Sequence, residues 1–417
     1  MPMPSPAPSA AAQNAPIQTS FAHRRLVSLD ALRGFDMFWI LGADSLAYSL
    51  HAMSQSKTAA FFAYELNHSQ WQGFRFYDLI FPLFVFIAGV SMVFSLGKTI
   101  ASAGRAQALK RIFIRSLLLY ALGIFEYGGF EHLWPGIRLL GVLQRIALAY
   151  FFTGLCFCFF RPRTLVAICA GLLIGYWALM TFVPFPDVRP TPQTQFIGRE
   201  SGLADLSQLN MASTNYIRGV FLEGVNLSNY LDQKYLPGYK WDGTWDPEGM
   251  LSTIPAVGTC LLGVFAGLLL KDQKIKDGRK VVCLLSFGVA GIALGWLWGL
   301  QFPVIKKIWT SSYVLVAGGY SALLLGAFYQ IVDVWKWQRW CRPFVWIGMN
   351  SITLYMADNI LDGFATPAQR LVGGNIKAFF DAHVAQGFGE LMIAITGLLL
   401  VFWFARLLYQ RKVFLRL

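Results

Sequence analysis

The chain has 417 residues, 56% of them hydrophobic and only 14% charged; soluble domains carry roughly a quarter charged residues, so an ordinary soluble protein is excluded. The net charge of +13 would suggest nucleic acid on a soluble protein, but on an apolar chain it reflects lysines and arginines collected in cytoplasmic loops, and no nucleic-acid partner is expected. The six cysteines, at 156, 158, 169, 260, 283 and 341, all lie in or beside apolar segments, which excludes a disulfide framework and, with no His or acidic partners at 156 and 158, leaves no metal site.

Residues 1–24 are rich in Pro, Ala and Ser and read as a disordered cytoplasmic tail. They hold no apolar core of the kind a cleavable signal needs, so Arg24-Arg25 reads as the positive flank of an uncleaved signal anchor. Beyond the tail, apolar runs of about the length needed to cross roughly 30 Å of hydrocarbon fall at 31–50, 77–97, 112–128, 139–160, 164–183, 249–270, 280–300, 311–333, 343–362 and 386–408. The expected fold is an all-α integral membrane protein of about ten transmembrane helices. Helices 1–5 fill 25–183 and helices 6–10 fill 249–417. Between them, the polar stretch 184–248 contains Trp241, Trp245 and the turn-rich Pro237-Gly238-Tyr239-Lys240-Trp241-Asp242-Gly243. Loops of that length without structure are uncommon, and this one reads as a small extracytoplasmic cap.

Basic residues select the orientation. One set of connections carries the groups around Arg24, Lys98–Arg115, Arg161, Lys271–Lys280, Lys336–Arg342 and Arg406–Arg416, and the alternate set carries fewer over a greater length. Both termini are therefore expected in the cytoplasm, and an even number of crossings agrees with that. His68 and the 184–248 cap then face outward.

Ionisable groups inside spans are costly and point to function. Asp30, Arg33 and Asp36 share a face of the first span, as an ion-pair cluster or around an entering anionic ligand. Asp44 lies roughly 16 Å further along the same helix. Asp78 opens the second span, where it either complements the helix dipole or orients His68. The fourth span carries Arg138 and, one face-repeat on and roughly 10 Å deeper, Gln144-Arg145. A buried arginine needs a carboxylate, phosphate or carbonyl-rich cavity; for Arg145 that is either a ligand or an ion pair with Asp36 or Asp78. In span nine, Gly348-Met349-Asn350-Ser351-Ile352-Thr353 and Asp358 form a second polar stripe, which serves either a ligand or neighbouring helices.

Of the five histidines, His23 falls in the tail, His51 at the end of the first span, and His383 in the last outer loop. His132 is placed to share an outer vestibule with His68. His68 stands apart: it sits in Asn67-His68-Ser69-Gln70-Trp71-Gln72-Gly73, ten residues before Asp78. A neutral imidazole there suits proton abstraction from an amine or hydroxyl. No Gly-x-x-x-x-Gly-Lys loop, His-Glu-x-x-His site or Gly-x-Ser-x-Gly elbow occurs to support ATP, zinc or serine-hydrolase chemistry.

Five blocks occur in order: Ser28-Leu29-Asp30-Ala31-Leu32-Arg33-Gly34; Asn67 to Gly73 with Asp78-Leu79-Ile80-Phe81-Pro82; Gly141-Val142-Leu143-Gln144-Arg145; Asp246-Pro247-Glu248-Gly249 with Ser252-Thr253-Ile254; and Gly348-Met349-Asn350-Ser351-Ile352. Together they resemble the heparan-alpha-glucosaminide N-acetyltransferase family and its bacterial relatives, over roughly residues 25–362. The resemblance implies a bacterial inner-membrane enzyme that takes acetyl-CoA as cosubstrate from the cytoplasm and acetylates an amino sugar or glycan terminus outside. It implies His68 as the active histidine, with Asp44 and Asp78 as further catalytic candidates. Arg33, Gln144, Arg145, Asn350 and Ser351 would line the path for CoA. Asp44 stands where the family pattern often has Asn, which bears on proton chemistry or acceptor. The luminal N-terminal domain of the animal enzymes has no counterpart, so heparan itself is not the expected acceptor. A homodimer is compatible with this reading. In the enzyme, His68 serves either as general base or as transient carrier of the acetyl group. The alternative function is a transporter of N-acetylglucosamine or a related small sugar.

Overall fold

The computed structural model describes residues 26–415 except 55, 130–132, 192, 200, 201 and 204; the expected tail at 1–24, His23 and His132 lie outside them. Helices dominate. Among the described residues, seven are long and apolar enough to cross a membrane: Phe76–Glu126, Val142–Phe159, Pro162–Phe182, Thr253–Lys271, Asp277–Gly299, Ser311–Val334 and Phe388–Gln410.

The first expected span is divided. α1 (Val27–Phe38) gives way to a wide turn at Trp39–Ala43, and α2 (Asp44–Met53) resumes beyond it. Gly42 sits at φ +103°, a conformation that costs a residue without a β-carbon little, and the break falls there. α3 (Lys57–Glu65) starts from a Ser56 cap whose side chain accepts the Ala59 N–H.

Expected spans two and three are the arms of one element, α4 (Ile80–Glu126), entered through a tight turn at Phe76–Leu79. Straight, it would extend about 70 Å, more than twice a hydrocarbon core. Gly104 at φ +80° and ψ 176° interrupts it, and the arms fold back on each other. Arg111 Nη1 donates to Thr99 Oγ1 at 3.1 Å across the fold. At the other end, Tyr355 donates to Glu126 Oε1 at 2.5 Å and lines the same cavity as Tyr77, so both ends of α4 meet.

α5 (Val142–Phe159) and α6 (Pro162–Phe182) follow, the latter with proline in its first turn, where no amide hydrogen is needed. The 183–252 connection then folds on the His68 end of the bundle. β1 (Phe185–Pro186) pairs antiparallel with β2 (Tyr216–Ile217), and Asn226 caps α7 (Leu227–Tyr235) by accepting the Asn229 N–H. Phe185, Val188, Ile197, Val225, Leu227 and Tyr230 make an apolar cluster with Tyr176 and Met180 of α6 and with Phe302, Ile305 and Ile308. That cluster is what holds the connection to the helices.

α8 (Thr253–Lys271), α9 (Asp277–Gly299) and α10 (Ser311–Phe328) pack with α4 and α5 around the main core. The ninth expected span is also divided: α11 (Arg342–Met349) stops at Asn350 and α12 (Ser351–Ile360) begins again. α13 (Ala365–Val372) and α14 (Asn375–His383) lead into α15 (Phe388–Gln410). The two divided segments pack together. A β-carbon on Gly34 would meet the backbone of Phe344, and one on Gly348 that of Asp30, so the helices touch backbone to backbone, as small residues permit in membranes. Phe287, Leu297 and Trp403 stay exposed on the outer helix faces, where lipid solvates them.

Candidate active site at the mouth of an interhelical cavity

The block around His68 is held from three directions. Trp71 Nε1 donates to the Phe221 carbonyl at 2.7 Å and its ring meets Trp245 edge-on. Gln72 bridges Ile305, and the Gly73 N–H donates to the Val304 carbonyl at 2.9 Å. Arg75 Nη1 donates to the His68 carbonyl at 2.9 Å. A segment without helix or strand is thus fixed between the 183–252 connection and the α9–α10 turn.

His68 Nδ1 lies 3.0 Å from Asp78 Oδ1. Asp78 is fully buried, and its Oδ2 accepts the Ser69 and Arg75 N–H groups at 3.1 Å each. Its backbone carbonyl accepts the Tyr313 hydroxyl at 2.7 Å. Asp78 therefore caps its own turn and orients the imidazole at once. With Nδ1–H donating to the carboxylate, Nε2 is left as a lone pair. Half the His68 side chain, 52%, is exposed, so Nε2 is reachable. The protein around the ring lowers the His68 pKa, with Lys306 and Lys307 acting the same way and Asp78 opposing them. The imidazole consequently stays neutral further into mild acid than a free histidine.

His68 opens onto a cavity of about 250 Å³, lined at its mouth by His68, Tyr77, Lys306 and Glu248 and further in by Met37, Ile40, Phe84, Ile146, Ser351 and Ile352. The deeper walls come from both divided segments. Residues at both breaks, Ile40 and Ser351, line this cavity.

The sequence candidates distribute over this cavity unevenly. His68, Asp78 and Ser351 come together on it or directly behind it. Asp44 reaches it through Tyr77, to which it is hydrogen-bonded, and the Tyr77 ring packs 4.8 Å from His68. Asn350 stands at the α11–α12 break; its Nδ2 donates to Trp346 O at 3.1 Å and, among the described residues, its Oδ1 has no partner. Gln144 is fully buried against Gly123 and Gly141, with neither amide atom hydrogen-bonded among the described residues. Arg145 stacks over Trp309 at 4.9 Å and donates to Ser252 Oγ and, at 3.4 Å, to the Gly249 carbonyl. Its partners are thus a hydroxyl and a carbonyl, and its Nε and Nη1 have none among the described residues. Arg33 donates to Ser91 Oγ at 2.7 Å and to Gly348 O at 3.3 Å. Ser91 is thirteen positions beyond Asp78 on α4, about 20 Å, so Arg33 lies well past the inner wall.

Two parts of the site escaped the sequence reading. Arg138 holds Asp246 in a two-point contact at 2.9 and 2.8 Å and Glu248 at 2.7 Å, which locks the Asp246-Pro247-Glu248-Gly249 block beside the mouth. Lys306 places Nζ 2.9 Å from His68 Nδ1, 3.4 Å from Nε2 and 3.5 Å from Asp78 Oδ1. The available signal was the adjacent pair Lys306-Lys307 in the short connection between α9 and α10. No group of three or more His, Cys, Asp or Glu able to hold a metal occurs among the described residues.

The family model described as heparan-alpha-glucosaminide N-acetyltransferase, catalytic, matches residues 25–236. The chain is similar to the Mus musculus heparan-alpha-glucosaminide N-acetyltransferase, at 29% identity over 333 residues, covering 72% of this chain and 50% of that protein. Its similarity to the Homo sapiens heparan-alpha-glucosaminide N-acetyltransferase is 27% over 388 residues, 84% of this chain and 55% of that protein. The chain spans about half the length of these curated relatives.

Proposed function

Because the chain belongs to the heparan-alpha-glucosaminide N-acetyltransferase catalytic family, we propose that it transfers an acetyl group from acetyl-CoA to the amine of an amino sugar at the mouth of the His68 cavity. The observation that carries this reading is the His68–Asp78 pair opening onto a passage walled by two divided helices.

The donor's chemistry fits the residues present. Buried arginine and amide atoms without partners, on Arg145, Gln144 and Asn350, suit a ligand that brings carbonyls and charge, and apolar walls suit a thin flexible arm. Ser351 would meet it at the cavity wall, with Asn350, Gln144, Arg145 and Arg33 marking its path beyond that wall. The thioester supplies an already activated carbonyl, so the protein contributes position, proton transfer and exclusion of water. Asp78 fixes His68 with Nε2 outward, and Nε2 takes the proton that the acceptor amine loses on acetylation. That proton then returns to the departing thiolate. Tyr77 and Asp44 pack behind the ring and complete its polar surround.

Counting the arms of α4 separately, and each divided segment as one crossing, gives ten passes. Lys98, Arg105, Lys271, Lys274 and Arg342 sit at the ends of the helices away from His68, and the positive-inside rule assigns that side to the cytoplasm. Both termini are then cytoplasmic, and the 183–252 connection caps the outer face.

The test uses the purified full chain in nanodiscs with acetyl-labelled acetyl-CoA and glucosamine. We expect labelled N-acetylglucosamine, and a loss of about 10²–10⁴-fold in His68→Ala, with CoA still raising its melting temperature. Wild-type rates in that variant would remove His68 from the chemistry. Sugar uptake into proteoliposomes in the absence of acetyl-CoA, without acetylation, would replace the enzyme by the transporter.

A further inference from the structure

The long outer connections hold two consecutive lysines with different tasks. Lys307 Nζ pairs with Glu223 Oε1 at 3.2 Å and Asp242 Oδ2 at 3.1 Å, both on the 183–252 connection. That pairing pins the α9–α10 turn, already tied to the His68 block through Ile305 and Val304. The neighbouring Lys306 is thereby delivered into the cavity mouth, where it lines the same space as His68 and Glu248.

We propose that Lys306 is a catalytic residue of the transfer, its ammonium stabilising the negative charge that develops on the acetyl carbonyl oxygen beside His68. This role rests on the acetyl-transfer reading above.

The geometry carries it. With Nδ1 of His68 donating to Asp78, that nitrogen has no lone pair for Lys306, and the ammonium is held beside it by its charge contact with Asp78 Oδ1 at 3.5 Å. An ammonium has three donors, which leaves N–H groups for the cavity. With an amine hydrogen-bonded to Nε2, the carbon it attacks lies within about one hydrogen bond plus one bond length of Nε2, and Nζ lies 3.4 Å from Nε2, close enough for the carbonyl oxygen to meet it. As the C–N bond forms, the carbonyl π pair moves onto oxygen against the Lys306 charge. The amine proton passes to Nε2, the oxygen pair then re-forms the carbonyl as the C–S bond breaks with its pair going to sulfur, and the proton moves from Nε2 to the thiolate. Lys306 keeps its own protons throughout. Removing one such donor typically costs about 10²–10³-fold in kcat.

Lys306 also acts on the imidazole. The charged and titratable groups facing His68 are Asp78 and Tyr77 from the turn before α4, Arg75 at its carbonyl, Lys306 and Lys307 from the α9–α10 turn, and Glu248 across the mouth. Of these, the two lysines lower the His68 pKa. Burial pulls Lys306 itself down while Asp78 and Glu248 draw it back.

The experiment measures acetylation of glucosamine by the full chain carrying Lys306→Met, Lys306→Arg or His68→Ala, across pH. Expected for Lys306→Met are a fall of about 10²-fold in kcat, KM for acetyl-CoA within about threefold, and an acid limb of kcat/KM moved to higher pH. Lys306→Arg, which keeps the charge and donors, should recover most of kcat and the wild-type limb. Wild-type kcat in Lys306→Met alongside a dead His68→Ala overturns the role of Lys306 and leaves acetyl transfer standing. Equal losses in Met and Arg variants with an unmoved acid limb reduce Lys306 to a loop anchor and also overturn it. Absence of transfer by the wild-type chain removes the underlying reading, and this one with it.

Discussion

At the scale of residues, the site depends on a buried carboxylate whose acceptor directions are all used: His68 and Lys306 on one oxygen, two backbone amides on the other. Such a group is costly to place in low dielectric unless every lone pair is met, and here the sequence meets two of them locally. Asp78→Asn keeps the shape but can no longer hold Nδ1–H by charge. Because Asp78 raises the His68 pKa, its loss should move the acid limb of kcat/KM to lower pH, opposite to Lys306→Met, and reduce kcat by up to about 10⁴-fold, the scale seen when a carboxylate that orients a catalytic imidazole is lost. Profiles of the two variants moving in the same direction would contradict this balance. His68 and Asp78 were legible in the sequence because they are ten residues apart. Lys306 is 238 positions from His68, and its one local signal, the adjacent Lys307, does not say which side chain it meets.

At the scale of elements, two interruptions do the shaping. A continuous helix at 31–50 or 343–362 would present one smooth face to its neighbours; the breaks at Trp39–Ala43 and Asn350 instead open the space that Met37, Ile40, Ser351 and Ile352 line. Hydropathy averages over such breaks, so the sequence reading drew each as one span. Gly34 and Gly348 then let α1 and α11 approach to backbone contact. Gly34→Val should force them apart at a cost of about 1–3 kcal/mol, seen as a lower melting temperature and a weaker stabilisation by CoA. A variant that melts like the wild type would mean the helices are free to part. α4 carries the complementary lesson: its two arms were visible as two apolar runs, and only Gly104 at positive φ makes them one folded-back element.

At the scale of the whole molecule, the 183–252 connection is bound to the helical bundle by apolar packing and by a few buried charges. Asp232 on α7 accepts the Met250 N–H at 2.9 Å, just before α8, and burial lifts its pKa to about 7. An acid with a raised pKa stabilises the fold while protonated, and that stability is lost as pH rises through the raised value. The wild-type chain should therefore melt lower at pH 8 than at pH 6, and Asp232→Asn should flatten that slope in thermal scans. An unchanged slope would assign the pH dependence elsewhere. Arg138 with Asp246 and Glu248 is the other tie; the sequence showed these as separate blocks and gave no reason to join them.

By itself, the sequence determined that the chain is helical and apolar enough for a membrane; it also pointed to the long polar insert as folded and to His68, ten residues before Asp78, as the imidazole to watch. Those are properties of neighbours along the chain, where hydropathy and spacing act directly. The tertiary structure alone decided which helices break and fold back, which cations reach the imidazole, and that the walls come from segments more than 300 residues apart such as Met37 and Ser351. Each of those is a long-range contact, set by the packing of the entire bundle rather than by any local preference.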